Sequence, residues 1–298
     1  MQFLVYILVY PLIWLISILP FRLLYAFSDF LYIVIYKMVG YRKKVVQDNL
    51  RLVFPEKSKK EINDITDKFY HHFCDMMLEA VKSLTISEKT MNQRFTFKNI
   101  ELINDLGKQN RSIVLMCAHY GSWEWIFIMQ KHIAHKGYAI YSKLGNKYFD
   151  ALVKRIRAKY NSTLITTKEA IPTLIRAKHD GELTINGFAS DQSPMVHKAF
   201  HWSEFMGIKV PIHTGAEMLA KRLDMSVVFF KVKRLKRGYY ETTFEVLAEN
   251  PNDYPNYEIT DMFTEKVEQQ IREAPQYYLW THRRWKHRDK VPAEFQGK

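Results

Sequence analysis

Ser112-Ile-Val-Leu-Met-Cys-Ala118 runs without a break into His119-Tyr-Gly-Ser-Trp-Glu124, and an aromatic and aliphatic stretch follows to residue 136. A short, fully apolar run of this kind predicts a buried strand over 112–118. The stretch behind it predicts a helix over 123–136, with a turn at Gly121 and Ser122 as its N-cap. Strand, turn and helix in that order are the unit from which α/β folds are built.

The same alternation continues downstream. Tyr138–Tyr141 predicts a short strand, and Tyr148–Lys159 a helix with Phe149, Leu152, Val153 and Ile156 inward. An Asp180-Gly181 turn precedes a strand over 182–188. Residues 214–223 predict a helix and 227–232 a strand. Lys236-Arg237-Gly238 then turns into 239–247 as a hairpin, and 258–273 closes with a helix. Upstream, Ser58 and Glu61 form a capping box before Ile62, Ile65, Phe69, Phe73, Met76, Met77 and Ala80 at helical spacing. The expected fold is α/β: a single domain with a mainly parallel, mixed sheet and an antiparallel end, over residues 41–298.

Residues 1–40 read differently. No charge occurs from Met1 to Phe21, and residues 3–19 are apolar apart from Pro11 and Ser17. Seventeen residues are at the short end of a bilayer span, which takes about 20. A signal peptide would need a basic start and a small-residue cleavage site, and neither is present. The first cations, Arg22, Lys37, Arg42, Lys43 and Lys44, follow the run. They place the remainder of the chain on the cytoplasmic side of a membrane to which this segment attaches, across it or in its interface; an internal hydrophobic hairpin of a soluble protein is the alternative.

Over the 298 residues, Lys and Arg outnumber Asp and Glu by 44 to 31, a formal charge of +13. Such an excess favours anionic partners: nucleic acid, anionic lipid or an acidic protein. No nucleic-acid motif accompanies it, so no nucleic-acid partner is expected. The two cysteines, Cys74 and Cys117, lack metal-ligand spacing; free buried thiols and no metal or cofactor are expected.

His119 and Glu124 carry the chemistry. Side chains five apart on one continuous helix diverge by about 140°, so they meet only if His119 precedes the helix. At the carboxyl end of a parallel strand, where ligands of α/β sheets collect, an imidazole is placed for catalysis. On the residues alone, a structural histidine is an equal alternative.

Several separate stretches resemble the late acyltransferases of lipid A assembly, the lauroyl/myristoyl family within the lysophospholipid acyltransferase superfamily. They are the apolar N-terminus, Asp48-Asn-Leu-Arg-Leu-Val-Phe-Pro55, the His119–Glu124 pattern with four residues between, and Leu144–Asp150. Ala189-Ser-Asp-Gln192, Phe205-Met-Gly207 with Thr214-Gly215, and Leu279-Trp-Thr-His-Arg-Arg-Trp-Lys286 complete the set. The resemblance implies the glycerol-phosphate/lysophospholipid acyltransferase fold. It also implies transfer of a fatty acyl chain from acyl-acyl-carrier protein to a hydroxyl of a lipid A precursor at the inner membrane. Another lipid acceptor, such as an amino-acid-linked lipid, is the alternative.

In that mechanism His119 is the general base and Glu124 holds its tautomer. Transfer is direct, through one tetrahedral intermediate, with backbone N–H groups near Gly121 or Lys143 as oxyanion donors. Lys143, Asp191, Gln192, Arg283 and Arg284 are the substrate-binding residues. Where the family reads Tyr-Arg-Pro, this chain has Tyr141-Ser142-Lys143, so Lys143 stands in for the arginine as a point charge without its fork. Lys154, Arg155, Arg157, Lys159 and the 283–286 stretch are the basic groups on offer to the acidic carrier or to lipid phosphates.

Overall fold

The computed structural model describes residues 1–296. Four helices come first: α1 (Gln2–Ile18), α2 (Phe21–Tyr32), α3 (Lys43–Val53) and α4 (Lys59–Lys82). A π-helical turn, Ile33–Met38, continues α2. Helix α5 (Glu88–Arg94), strand β1 (Phe95–Phe97) and α6 (Glu101–Lys108) lead to β2 (Ile113–Cys117). Then come β3 (Lys136–Tyr141), α7 (Lys147–Arg157), β4 (Thr163–Thr166), α8 (Thr167–His179) and β5 (Thr184–Ala189). A small antiparallel hairpin, β6 (Trp202–Phe205) and β7 (Ile208–Pro211), precedes α9 (Gly215–Leu223). The long pair β8 (Ser226–Lys236) and β9 (Tyr239–Ala248) and the helix α10 (Glu258–Glu273) follow.

Seven strands form one sheet in the order β1-β9-β8-β2-β5-β3-β4. All neighbours are parallel except β8 and β9. The structure is a mixed α/β single domain dominated by parallel pairing, as the alternation predicts. Central strand β2 is buried over Ile113–Met116, as a strand covered on both faces must be. Helices α9 and α10 pack beside β2 and β8, and aromatic side chains, among them Phe95, Phe229, Phe230 and Phe263, fill the layers between.

The capping box of α4 forms, with Ser58 accepting from Glu61 N–H and Glu61 accepting from Ser58 N–H at 2.8 Å. Its inward face differs from the expected one. Met77 is exposed, whereas Asp75 and Glu79 are buried. Asp75 accepts from Ser28 at 2.7 Å and from Arg234 and Arg237. Glu79 accepts from Tyr25 at 2.9 Å and Tyr240 at 2.8 Å. These two buried acids thus join α2 to α4 and the β8–β9 pair.

No single helix among the described residues is long and apolar enough to cross a membrane. Phe21–Met38 and Lys43–Val53 pass that test only as a pair bent by 83°. Helix α1, of 17 residues, carries no charged side chain and leaves Leu4, Leu8, Leu12 and Leu15 more than half exposed.

The segment expected as a helix over 123–136 is a 3₁₀ helix ending at Lys131. Crowded aromatic and β-branched residues, Trp123, Trp125, Ile126, Phe127 and Ile128, explain the tighter, shorter coil. Ser122 makes no side-chain cap there.

Candidate functional site

Strands β2 and β5 lie side by side in parallel, with Cys117 opposite Ala189. Each then leaves the sheet at its carboxyl end, and two residues on stand His119 and Asp191. Equal distances past a shared register bring the two side chains together: His119 Nδ1 lies 2.7 Å from Asp191 Oδ1. The Asp191 side chain is sealed from solvent, and that of His119 is one-fifth exposed. Its other nitrogen, Nε2, lies 3.4 Å from the amide nitrogen of Gln192. The Trp123 ring packs edge-on against the imidazole at 5.1 Å between centroids.

Burial disfavours the imidazolium, but the charge and hydrogen bond of Asp191 outweigh it, and Glu124 adds to them. The net result is a His119 pKa raised above the ordinary histidine value. Burial alone would push the Asp191 carboxyl up; the imidazole beside it wins and holds it below the ordinary value. An ionised carboxylate on Nδ1 fixes that nitrogen as the proton carrier and leaves the Nε2 lone pair to act as a base.

The expected grip of Glu124 on the imidazole is corrected: Asp191 makes it. Glu124 instead accepts two hydrogen bonds from Arg157 at the end of α7, one of them from Nε at 2.9 Å. The 3₁₀ coil turns Glu124 toward α7, while strand adjacency delivers Asp191 to Nδ1. Both charges remain close enough to act on His119, Glu124 raising its pKa and Arg157 lowering it.

Two further expectations are corrected. The Gly121 N–H donates to the Tyr277 carbonyl at 3.0 Å, so it is committed to the backbone and is no oxyanion donor. Arg284 is buried, not a surface cation: it donates to the Pro211 carbonyl at 3.1 Å and stacks over Phe205. Arg283 and Lys143 are exposed. The charge of Lys143 falls on Asp150 and Glu169. Gln192 reaches the imidazole as described. Of the α7 cations, Lys154 pairs with Asp150 at 3.7 Å and Arg155 donates to the Tyr10 hydroxyl at 3.1 Å. Lys159 donates to the carbonyls of Ser83 and Ile86.

Cys117 ends β2 directly beneath the site, and Cys74 lies in α4; both are free. Burial pushes each thiol up to about 12, so neither is an ionised nucleophile near neutrality. Among the described residues no group of three or more His, Cys, Asp or Glu side chains could hold a metal ion.

The His119 loop is clamped from behind by the C-terminal segment. Leu279 N–H donates to the His119 carbonyl at 3.1 Å, and Tyr120 bridges Tyr278 as an isolated antiparallel pair. Local sequence gives no sign of this clamp or of the Asp191 pairing; both depend on which segments the sheet brings together.

The chain matches the model of the bacterial lipid A biosynthesis acyltransferase family over residues 1–287. It is 25% identical over 285 residues to the lipid A biosynthesis lauroyltransferase of Escherichia coli K12, covering 95% of this chain and 92% of that protein. To the lipid A biosynthesis palmitoleoyltransferase of the same organism it is 21% identical over 249 residues, covering 83% and 79%. A lipid A biosynthesis acyltransferase of Haemophilus influenzae is 23% identical over 272 residues, covering 89% and 82%. An imidazole oriented by a buried carboxylate suits the activation of a hydroxyl for acyl transfer, and the match spans nearly the whole chain: this protein belongs to the bacterial lipid A biosynthesis acyltransferase family and is an acyltransferase.

Proposed function

We propose that the enzyme transfers a fatty acyl chain from acyl-acyl-carrier protein to a hydroxyl of a lipid A precursor at the inner membrane, with His119 as general base. The observation that carries this is the His119–Asp191 pair at the carboxyl edge of the sheet, its Nδ1 committed to the carboxylate and its imidazole one-fifth exposed.

An alcohol is a weak nucleophile while protonated. As the acceptor oxygen attacks the thioester carbonyl, Nε2 takes its proton, and the C–O bond forms as the carbonyl becomes a tetrahedral oxyanion. The intermediate then collapses: the C–S bond breaks, the imidazolium returns its proton to the leaving thiolate, and the ester is released. Asp191 stabilises the imidazolium throughout. Glu124 acts beside it by balancing Arg157, so that the imidazolium forms next to a neutral pair and not a bare cation. Gln192 orients the Nε2 edge.

The acidic carrier fits the +13 balance and the exposed cations Lys143, Arg283 and Lys286. The apolar outer face of α1 supports attachment to the bilayer that holds the acceptor, with the catalytic body on the cytoplasmic side.

His119→Ala is expected to keep the fold and abolish transfer of radiolabelled acyl groups from the carrier to lipid A precursor. Asp191→Asn is expected to lose about 10²–10⁴ in kcat, since the amide cannot fix the same tautomer or stabilise the imidazolium. Full activity in the His119→Ala enzyme would refute the assignment. Mass spectrometry of lipids from a deletion strain identifies the acceptor by the acyl chain that goes missing.

A further inference from the structure

The segment 277–285 meets the chain at His119 and just beyond Asp191, and its Tyr278 side chain hydrogen-bonds Asp191 itself. On one side its Leu279 N–H holds the His119 carbonyl at 3.1 Å. On the other its His282 Nε2 accepts the backbone N–H of Ser193, two residues beyond Asp191, at 3.2 Å. Asn49 on α3 fixes the segment in turn: its amide nitrogen donates to the carbonyls of Trp280 and His282, each at 2.9 Å. Arg42 donates to the Thr281 carbonyl between them at 2.9 Å. Trp280, Arg284 and Trp285 are buried, so the segment is held on its inner side as well.

We propose that His282, fixed by Asn49, is a positioning residue for acyl transfer: it holds the turn that aims Asp191 at His119. One segment thereby sets the distance between a histidine and an aspartate 72 residues apart in sequence.

The chemistry of His282 suits an acceptor. Burial lowers its pKa to about 4, and the cations Arg284 and Lys286 and the imidazole of His119 push the same way against Asp191. Near neutrality the ring carries one proton, and with Nε2 accepting from Ser193 that proton is on Nδ1. A protonated ring could not accept the Ser193 N–H. The charges acting on the aimed imidazole are those of Asp191, Glu124 and Arg157, and its own charge acts in turn on His282.

The inference rests on His119 as the base, and its test separates the two. His282→Ala should lower kcat by about 10²-fold, the scale on which small misplacements of reacting groups act. KM for the acyl carrier should stay within twofold. The ascending limb of the kcat–pH profile should move to lower pH, because an unaligned Asp191 no longer raises the His119 pKa. His282→Gln, whose side-chain oxygen can accept the same N–H, should recover most of the rate and restore the limb. Asn49→Ala should give the signature of His282→Ala and decides the matter if that variant does not fold. Wild-type kcat in His282→Ala overturns the proposal. So does a loss shared by His282→Ala and His282→Gln that follows lowered melting temperature with the limb unmoved. An active His119→Ala enzyme would instead remove the proposed function beneath it.

Discussion

Arg157 and Glu124 form a charge pair within the field of the imidazole, each side chain about one-fifth exposed. Their effects on His119 oppose one another, so removing one member exposes the other. Glu124→Gln is expected to lower kcat by about tenfold or more, because the remaining guanidinium opposes the imidazolium that proton abstraction creates. A base acts when unprotonated. With the raising charge gone, the His119 pKa falls and the ascending limb of the kcat–pH profile shifts to lower pH. The double variant Glu124→Gln/Arg157→Leu removes both charges and should recover part of the loss. A double variant no better than the single one in that profile would show that Glu124 acts by some route other than balancing Arg157.

Between residue and fold stands the turn at Gly121. Its φ is +59°, in the left-handed region, and a Cβ there would lie 2.9 Å from Val232 Cγ1. Gly121→Ala therefore meets a backbone penalty of about 1–2 kcal/mol and a clash with β8. Denaturant melts in detergent should show at least that loss. Transfer should fall further than the melt explains, since the same residue's N–H ties the His119 loop to Tyr277. Stability equal to wild type would mean that the loop relaxes without cost. Elements with strong period and punctuation were legible in sequence: β2, the β8–β9 hairpin, α10 over Glu258–Glu273, and α4 with its Ser58 box. Strands β1 and β4, of three and four residues, and the β6–β7 hairpin were not, being too short to show alternation. Helix α8 carries its own capping box, Thr166 with Glu169, but Pro172 in its interior obscures the pattern. His119 could be read from its place after a strand. Its partner could not, because the adjacency of β2 and β5 is a property of the whole sheet and leaves no mark in local spacing.

At the scale of the whole molecule, the two N-terminal helices are attached by different means. Helix α2 is joined to the body by charge: Arg237 bonds Asp29 and Asp75, and Ser28 bonds Asp75. Helix α1 is held at its ends, where Lys82 donates to the carbonyls of Ser17 and Leu19 at 2.7 Å and Gln2 donates to the Gly145 carbonyl at 3.1 Å. Between these, Phe3 and Tyr6 pack against Tyr148 and Phe149 of α7, and Tyr10 meets Arg155. Its other side presents Leu4, Leu8, Leu12 and Leu15 one turn apart, beside the exposed Trp14 and Ile18. An apolar face of this extent, next to a basic helix, is the pattern of a surface that enters a bilayer with cations at headgroup level. Four half-exposed leucines supply about 4 kcal/mol or more on immersion, roughly three orders of magnitude in partitioning. Replacing all four with Gln should shift the protein from the membrane pellet toward the supernatant on ultracentrifugation, while protease resistance of the body stays unchanged because none of the four is buried. A quadruple variant that still pellets completely would assign membrane attachment to another surface, and the exposed Leu23, Phe30 and Ile33 of α2 and its continuation would be tested next.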